Sequence, residues 1–149
     1  MTYDSPAEIV RCILIMGGIG RMPSNVESTK TPMYLGHLPD EPDEAICVYD
    51  VEGSKDGRCQ RTGETMYHSG WQVRVRGNNY KKAMGVLADI ANYMDSVLRI
   101  RASIETDSKI RIYLVQSIIQ TTGFLPLGQD PNTRTEEFTL NGIVAFEQI

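Results

Sequence analysis

Tyr80, Met84, Leu87, Ala91, Met94 and Leu98 recur at steps of four and three, which is one face of an amphipathic helix. Asn78 or Asn79 supplies the N-cap, and the stripe predicts a helix to about Arg99. Roughly 20 residues at 1.5 Å each give a rod about 30 Å long. The stripe lasts too few turns for a coiled coil, so it predicts a helix lying on a sheet.

The neighbouring segments supply that sheet. Ala45–Val51 is apolar on both parities and reads as a mostly buried strand. Trp71, Val73 and Val75 alternate with Gln72, Arg74 and Arg76, a half-buried strand. With Glu64–His68 before it, this predicts a hairpin turning at Ser69-Gly70. Ile110–Ile119 is a further strand, and Thr121–Leu127 either continues it or starts another. Glu136–Glu147 is the last strand, with Asn141-Gly142 marking a bulge or a tight turn.

At the N-terminus, Ser5 can cap a helix, Pro6 suits its first turn and Glu8 completes a capping box. Ile9, Ile13 and Met16 share a face, and Gly17-Gly18 stops the helix. Residues 17–44 hold four of the seven prolines and no long periodic segment, so they predict a docking arm or a mobile flap. Met33–Leu35 is a short strand within them. Residues 52–63 and 128–133 read as loops.

Helices do not alternate with strands in this order, which excludes a doubly wound fold. The expected architecture is a single α+β domain over residues 1–149: a mainly antiparallel sheet with two helices packed on one face, and long loops. The outer sheet face is expected to carry Arg74, Arg76 and Arg111 toward water or another subunit. A chain of 149 residues buries enough surface to need no metal or disulfide staple.

A net charge of −4 and a pI near 5.2 argue against specific nucleic-acid binding, which needs clustered Lys and Arg. Cys12, Cys47 and Cys59 have no disulfide-framework spacing, which points to a reducing compartment. The apolar run Cys12–Gly20 is too short to span a bilayer and follows Asp4 and Glu8 in place of a basic region. The chain therefore reads as cytoplasmic, unprocessed and free of membrane. His37 and His68 are the only histidines, and with Cys47 and Cys59 they lack metal-ligand spacing. Gly17-Gly18-Ile19-Gly20 follows a helix and lacks the P-loop lysine. The acidic cluster Asp40, Glu41, Asp43 and Glu44 reads as a solvated loop. No catalytic residue, cofactor or metal is expected.

Several pieces carry a family resemblance: LPDEPDEAICVYD before a strand, GWQVRVRG, and NNYKKAMGVLADIANYMDSVL opening a helix directly after Arg76-Gly77. The join from Val73 to Tyr80 and the run from Pro126 to Arg134 before a final strand carry most of it. The chain resembles the tail terminator proteins of long-tailed bacteriophages, minor tail or minor capsid proteins, over nearly its full length. The resemblance implies a non-enzymatic virion protein of the tail or neck, made in the host bacterial cytoplasm. It implies a homo-oligomeric ring, typically hexameric, that caps the tail tube, stops its elongation and offers the head-tail connector a docking surface. Tail tube protein and connector are then the partners, and DNA passes through the ring without specific binding.

On that reading the candidate interface residues are Gln72, Arg74, Arg76, Lys55, Arg58, Asp130 and Arg134, with loops 17–44, 52–63 and 128–134 meeting tube and connector. Two alternatives stand beside it. One is another neck protein, for head closure or tail completion. The other is a small α+β enzyme or ligand-binding domain using residues 17–44 as a lid and His37 or His68 as base.

Overall fold

The computed structural model describes residues 4–55, 67–106, 108–129 and 134–149. The fold is mixed α+β and mostly strand. In chain order it runs α1 (Pro6–Met16), β1 (Met33–Leu35), β2 (Ala45–Lys55), β3 (Tyr67–Gly77), α2 (Tyr80–Ser96), β4 (Leu98–Thr106), β5 (Lys109–Gln120), β6 (Leu125–Gln129) and β7 (Glu136–Gln148). One sheet takes the order β1-β2-β3-β7-β5-β4, with β6 also paired to β7. β1 runs parallel to β2, and the other pairings are antiparallel.

Both helices start where their caps predict. The Ser5 hydroxyl accepts from Glu8 N–H and the Glu8 carboxylate from Ser5 N–H. Gly18, at φ +77°, takes the left-handed conformation that ends α1. Asn79, not Asn78, caps α2, its side-chain oxygen accepting from Lys82 N–H at 2.9 Å. The apolar stripe of α2 buries Leu87, Ala91 and Met94. It stops there: α2 ends at Ser96, and Leu98, 74 % exposed, already belongs to β4.

Two further expectations are corrected. Ser69-Gly70 is no turn: β3 runs straight through it, because both residues pair with β7 as Ser69↔Val144 and Gly70↔Ile143. The hairpin is formed by β2 and β3 instead, in register from Ala45↔Arg76 to Lys55↔Tyr67. Residues 56–66, with most of the expected arm Glu64–His68 and loop 52–63, lie outside the described residues. Asn141-Gly142 lies inside the continuous strand β7 and makes no tight turn. The irregularities along β7 fall against Val115/Ser117 and Pro126/Gly128.

α1 packs against β1, β2, β3 and β4, and so touches strands from both ends of the sheet order. The sheet therefore curls round α1. α2 lies against β3, β5 and β7. One core holds Ile9, Ile13 and Leu14 of α1, Leu87 and Met94 of α2, and Trp71, Val73 and Leu140 of the sheet. Burying such side chains contributes about 1.5–3 kcal/mol each.

Candidate functional site

Along β3, Trp71, Val73 and Val75 turn inward, so Gln72, Arg74 and Arg76 share the opposite, outer face. Gln72 is half-buried and its side-chain amide donates to Asn141 Oδ1 at 2.9 Å on the adjacent strand. The Arg74 guanidinium stands 5.2 Å from the Tyr49 ring centroid, a cation–π contact. Its buried Nε has no hydrogen-bond partner among the described residues.

Arg76 and Arg111 do not face water as expected; each is only 8 % exposed. Arg76 Nε donates to Asp43 O at 3.0 Å, and Nη2 donates to Pro39 O at 2.6 Å and Pro42 O at 2.5 Å. The guanidinium thereby pins residues 39–43 near the outer face, beside Ala45 and Cys47, which are fully buried. That pinning gives part of the 17–44 segment a fixed course.

Arg111 lies on the inward parity of β5 with Tyr113 and Val115. It pairs with Asp4 through Nε and Nη2, and Tyr113 donates its hydroxyl proton to the same carboxylate at 2.6 Å. The Arg111 hydrogen bond holds the Asp4 carboxyl below its ordinary value. Burial, with the Asp4 carboxylate, pushes the Tyr113 hydroxyl up to about 12. This cluster ties the residues before α1 to β5.

Of the loop candidates, Arg134 is exposed at φ +57°, and its carbonyl accepts from the Gln129 side chain at 3.3 Å. Lys55 ends β2 by its backbone pairing to Tyr67. Arg58 and Asp130 lie outside the described residues. His37 is exposed beyond β1, and His68 is half-buried on β3. Among the described residues no group of three His, Cys, Asp or Glu side chains is placed to hold a metal ion. No described helix is long and apolar enough to cross a membrane.

Two surface features escape the sequence patterns. β6 is exposed at every residue, with Leu125 at 53 % and Leu127 at 44 %, and carries no charge. Among the described residues it pairs only with β7. The second feature is a groove of about 270 Å³ between α1 and β4, whose lining includes Cys12, Ile15, Met16, Met22 and Ile104. Burial raises the Cys12 thiol above its ordinary value, and its sulfur donates to Ser103 O at 3.5 Å. β4 closes the sheet order and, among the described strands, pairs only with β5.

Open strand edges and contiguous exposed apolar side chains are features of proteins that act by docking onto other proteins. The chain belongs to the bacteriophage tail terminator family: residues 13–123 match the family described as bacteriophage tail terminator protein. No curated protein sequence matches it. The match runs through the proline-rich 17–44 segment and stops short of the Pro126–Arg134 run. The family is a structural one, which makes the chain a component of the phage tail.

Proposed function

We propose that copies of this chain form a closed ring on the finished tail tube, stop further tube subunits from adding, and present the head-side connector with its docking surface. The match to tail terminator proteins over residues 13–123 carries this reading. Contacts in such a ring are heterologous and close because the rotation closes, typically at six copies. Gln72 and Arg74 on the outer sheet face, with Lys55, Arg58, Asp130 and Arg134 in or beside the loops, make contacts to neighbouring subunits, tube or connector. Arg76 acts through the residues it pins, by fixing the shape of that face. DNA passes through the bore without sequence-specific contact.

The test is arrest of assembly in vitro. Purified protein added to polymerising tail tube protein is expected to cap tubes and shorten their length distribution in proportion to the amount added. Tubes of unchanged length, with no protein at their ends, would contradict termination. Protein that binds finished tube ends without limiting growth would point to head closure or tail completion.

A further inference from the structure

Arg74 stands apart from the other arginines. Of the described arginines that are buried or half-buried, Arg11, Arg21, Arg76 and Arg111 all donate hydrogen bonds from their guanidinium groups. The Arg74 guanidinium donates none to a described residue, and its Nε is shielded from water. A shielded charged donor without a partner is costly, and an arriving carboxylate removes that cost. Tyr49 pairs with Gln72, so the contact with the Tyr49 ring leans the guanidinium one rung along β3 from its own position. The next rung is apolar. Val51, Gly70, Ile143 and Ile119 pair in turn across β2, β3, β7 and β5, with Val51 42 % and Ile119 57 % exposed. Successive rungs on one sheet face lie about 7 Å apart.

We propose that the loop 22–30 of one copy docks on this outer face of the next, with the Glu27 carboxylate on Arg74 and Val26 on the apolar row. This rests on the ring reading above and names the surfaces that would build it.

The loop is shaped to present those two side chains. Arg21 Nε donates to Lys30 O at 2.9 Å, and its Nη1 donates to Met22 O and Pro23 O at 3.2 Å and to Asn25 O at 3.3 Å. The guanidinium holds the loop from within, which lowers the ordering cost of docking. Val26 is 82 % exposed, more than any other large apolar side chain described. Glu27 beside it is exposed and makes no ion pair with a described residue. The loop cannot reach Arg74 of its own chain. Met22 lines the groove between α1 and β4, on the helix side of the sheet, whereas Arg74 projects from the opposite side. Another copy can bring the two together.

Charge agrees with the pairing beyond the single contact. Asp40, Glu41, Asp43 and Glu137 outnumber Arg74 and Arg76 on and beside the receiving face, while Arg21 and Lys30 outnumber Glu27 in the loop. The two surfaces therefore carry opposite net charge, and Glu27 is the loop's one carboxylate. Two different patches meeting in this way give a heterologous contact, which closes into a ring when the rotation permits.

A charge swap tests the contact. Arg74→Glu and, separately, Glu27→Arg are each expected to weaken self-association at least tenfold by light scattering, and the double variant to restore it. Arg74→Met is expected to lose association too, with an unchanged melting temperature, because the guanidinium bonds nothing within its own chain. As a second readout, Arg74→Lys is treated with a water-soluble carbodiimide, with tail tubes present and absent. An amine nitrogen bonds to a carboxyl carbon there, a carbon–oxygen bond breaks, and the carbodiimide leaves as a urea with the oxygen and two protons. Mass spectrometry of mixed isotope-labelled and unlabelled protein is expected to find position 74 joined to Glu27 of another copy. Rings that form with neither swap rescue nor this link would overturn the docking proposal and leave the ring reading standing. A link from position 74 to tube protein, or to a carboxylate of its own chain, would overturn it as well. A monomer at every concentration, unlinked on tubes and off them, would overturn the proposal as a contact between copies. The tube-arrest assay would still decide termination.

Discussion

The Trp71 indole lies against the bare Cα of Gly142, its partner in the β3–β7 pairing. A Cβ at Gly142 would overlap that ring and the Ile119 carbonyl oxygen on β5. The glycine in mid-strand is thus a close-approach site, where the largest core side chain crosses the neighbouring backbone. Gly142→Ala is expected to destabilise the protein by about 1–3 kcal/mol, read as a lower urea midpoint at unchanged slope. An alanine variant as stable as the parent would show that the indole has room to move.

The Asp4–Arg111–Tyr113 cluster predicts two pH windows. The folded Tyr113 hydroxyl titrates at about 12 against an ordinary 10.0. The folded state thus holds that proton more tightly. Its contribution is full below pH 10.0 and is lost as pH rises toward about 12. Tyr113→Phe lacks this loss, so its stability deficit is expected to close across that interval in denaturation curves.

Asp4 behaves oppositely. Its folded pKa lies below the ordinary 3.8, so its contribution is full above 3.8 and is lost as pH falls through the lower folded value. The stability gap between the parent and Asp4→Asn is expected to hold at neutral pH and narrow in acid. A gap independent of pH would contradict the pairing.

Arg76 and Lys82 both reach toward residues 39–44, with different weight. Arg76 is buried and makes charge-assisted bonds to carbonyls. Arg76→Met is expected to cost about 2 kcal/mol and to expose residues 39–43 to proteolysis. The Lys82–Glu44 pair spans 3.3 Å between side chains that are 61 % and 42 % exposed. Lys82→Ala is therefore expected to shift stability by no more than about 1 kcal/mol, with the protease pattern unchanged.

The α+β class, both helix starts and the course of Val73, Val75 and Leu87 into the core were legible because period and capping chemistry are local signals. β4 was missed although Ile100, Ala102 and Ile104 alternate. Leu98 extends the helical stripe by one more step of four, so the pattern carries the helix to about Arg99 and leaves the rest of β4 without an element. Gly70 has turn chemistry, but its pairing with Ile143 is tertiary and overrode it. Arg76 and Arg111 are polar residues on strands, and alternation alone assigned them to solvent. Their partners, Pro39 and Asp4, are distant in sequence and leave no local mark. The α1–β4 groove is likewise invisible before the sheet curls.

Tail length in phage that lack this protein tests termination most directly. Particles made without it are imaged by negative-stain electron microscopy, with the protein supplied in trans as the control. Overlong tails of variable length, restored to uniform length by the supplied protein, are the expected result. Tails of normal length lying unjoined beside filled heads would contradict it and assign the protein to joining.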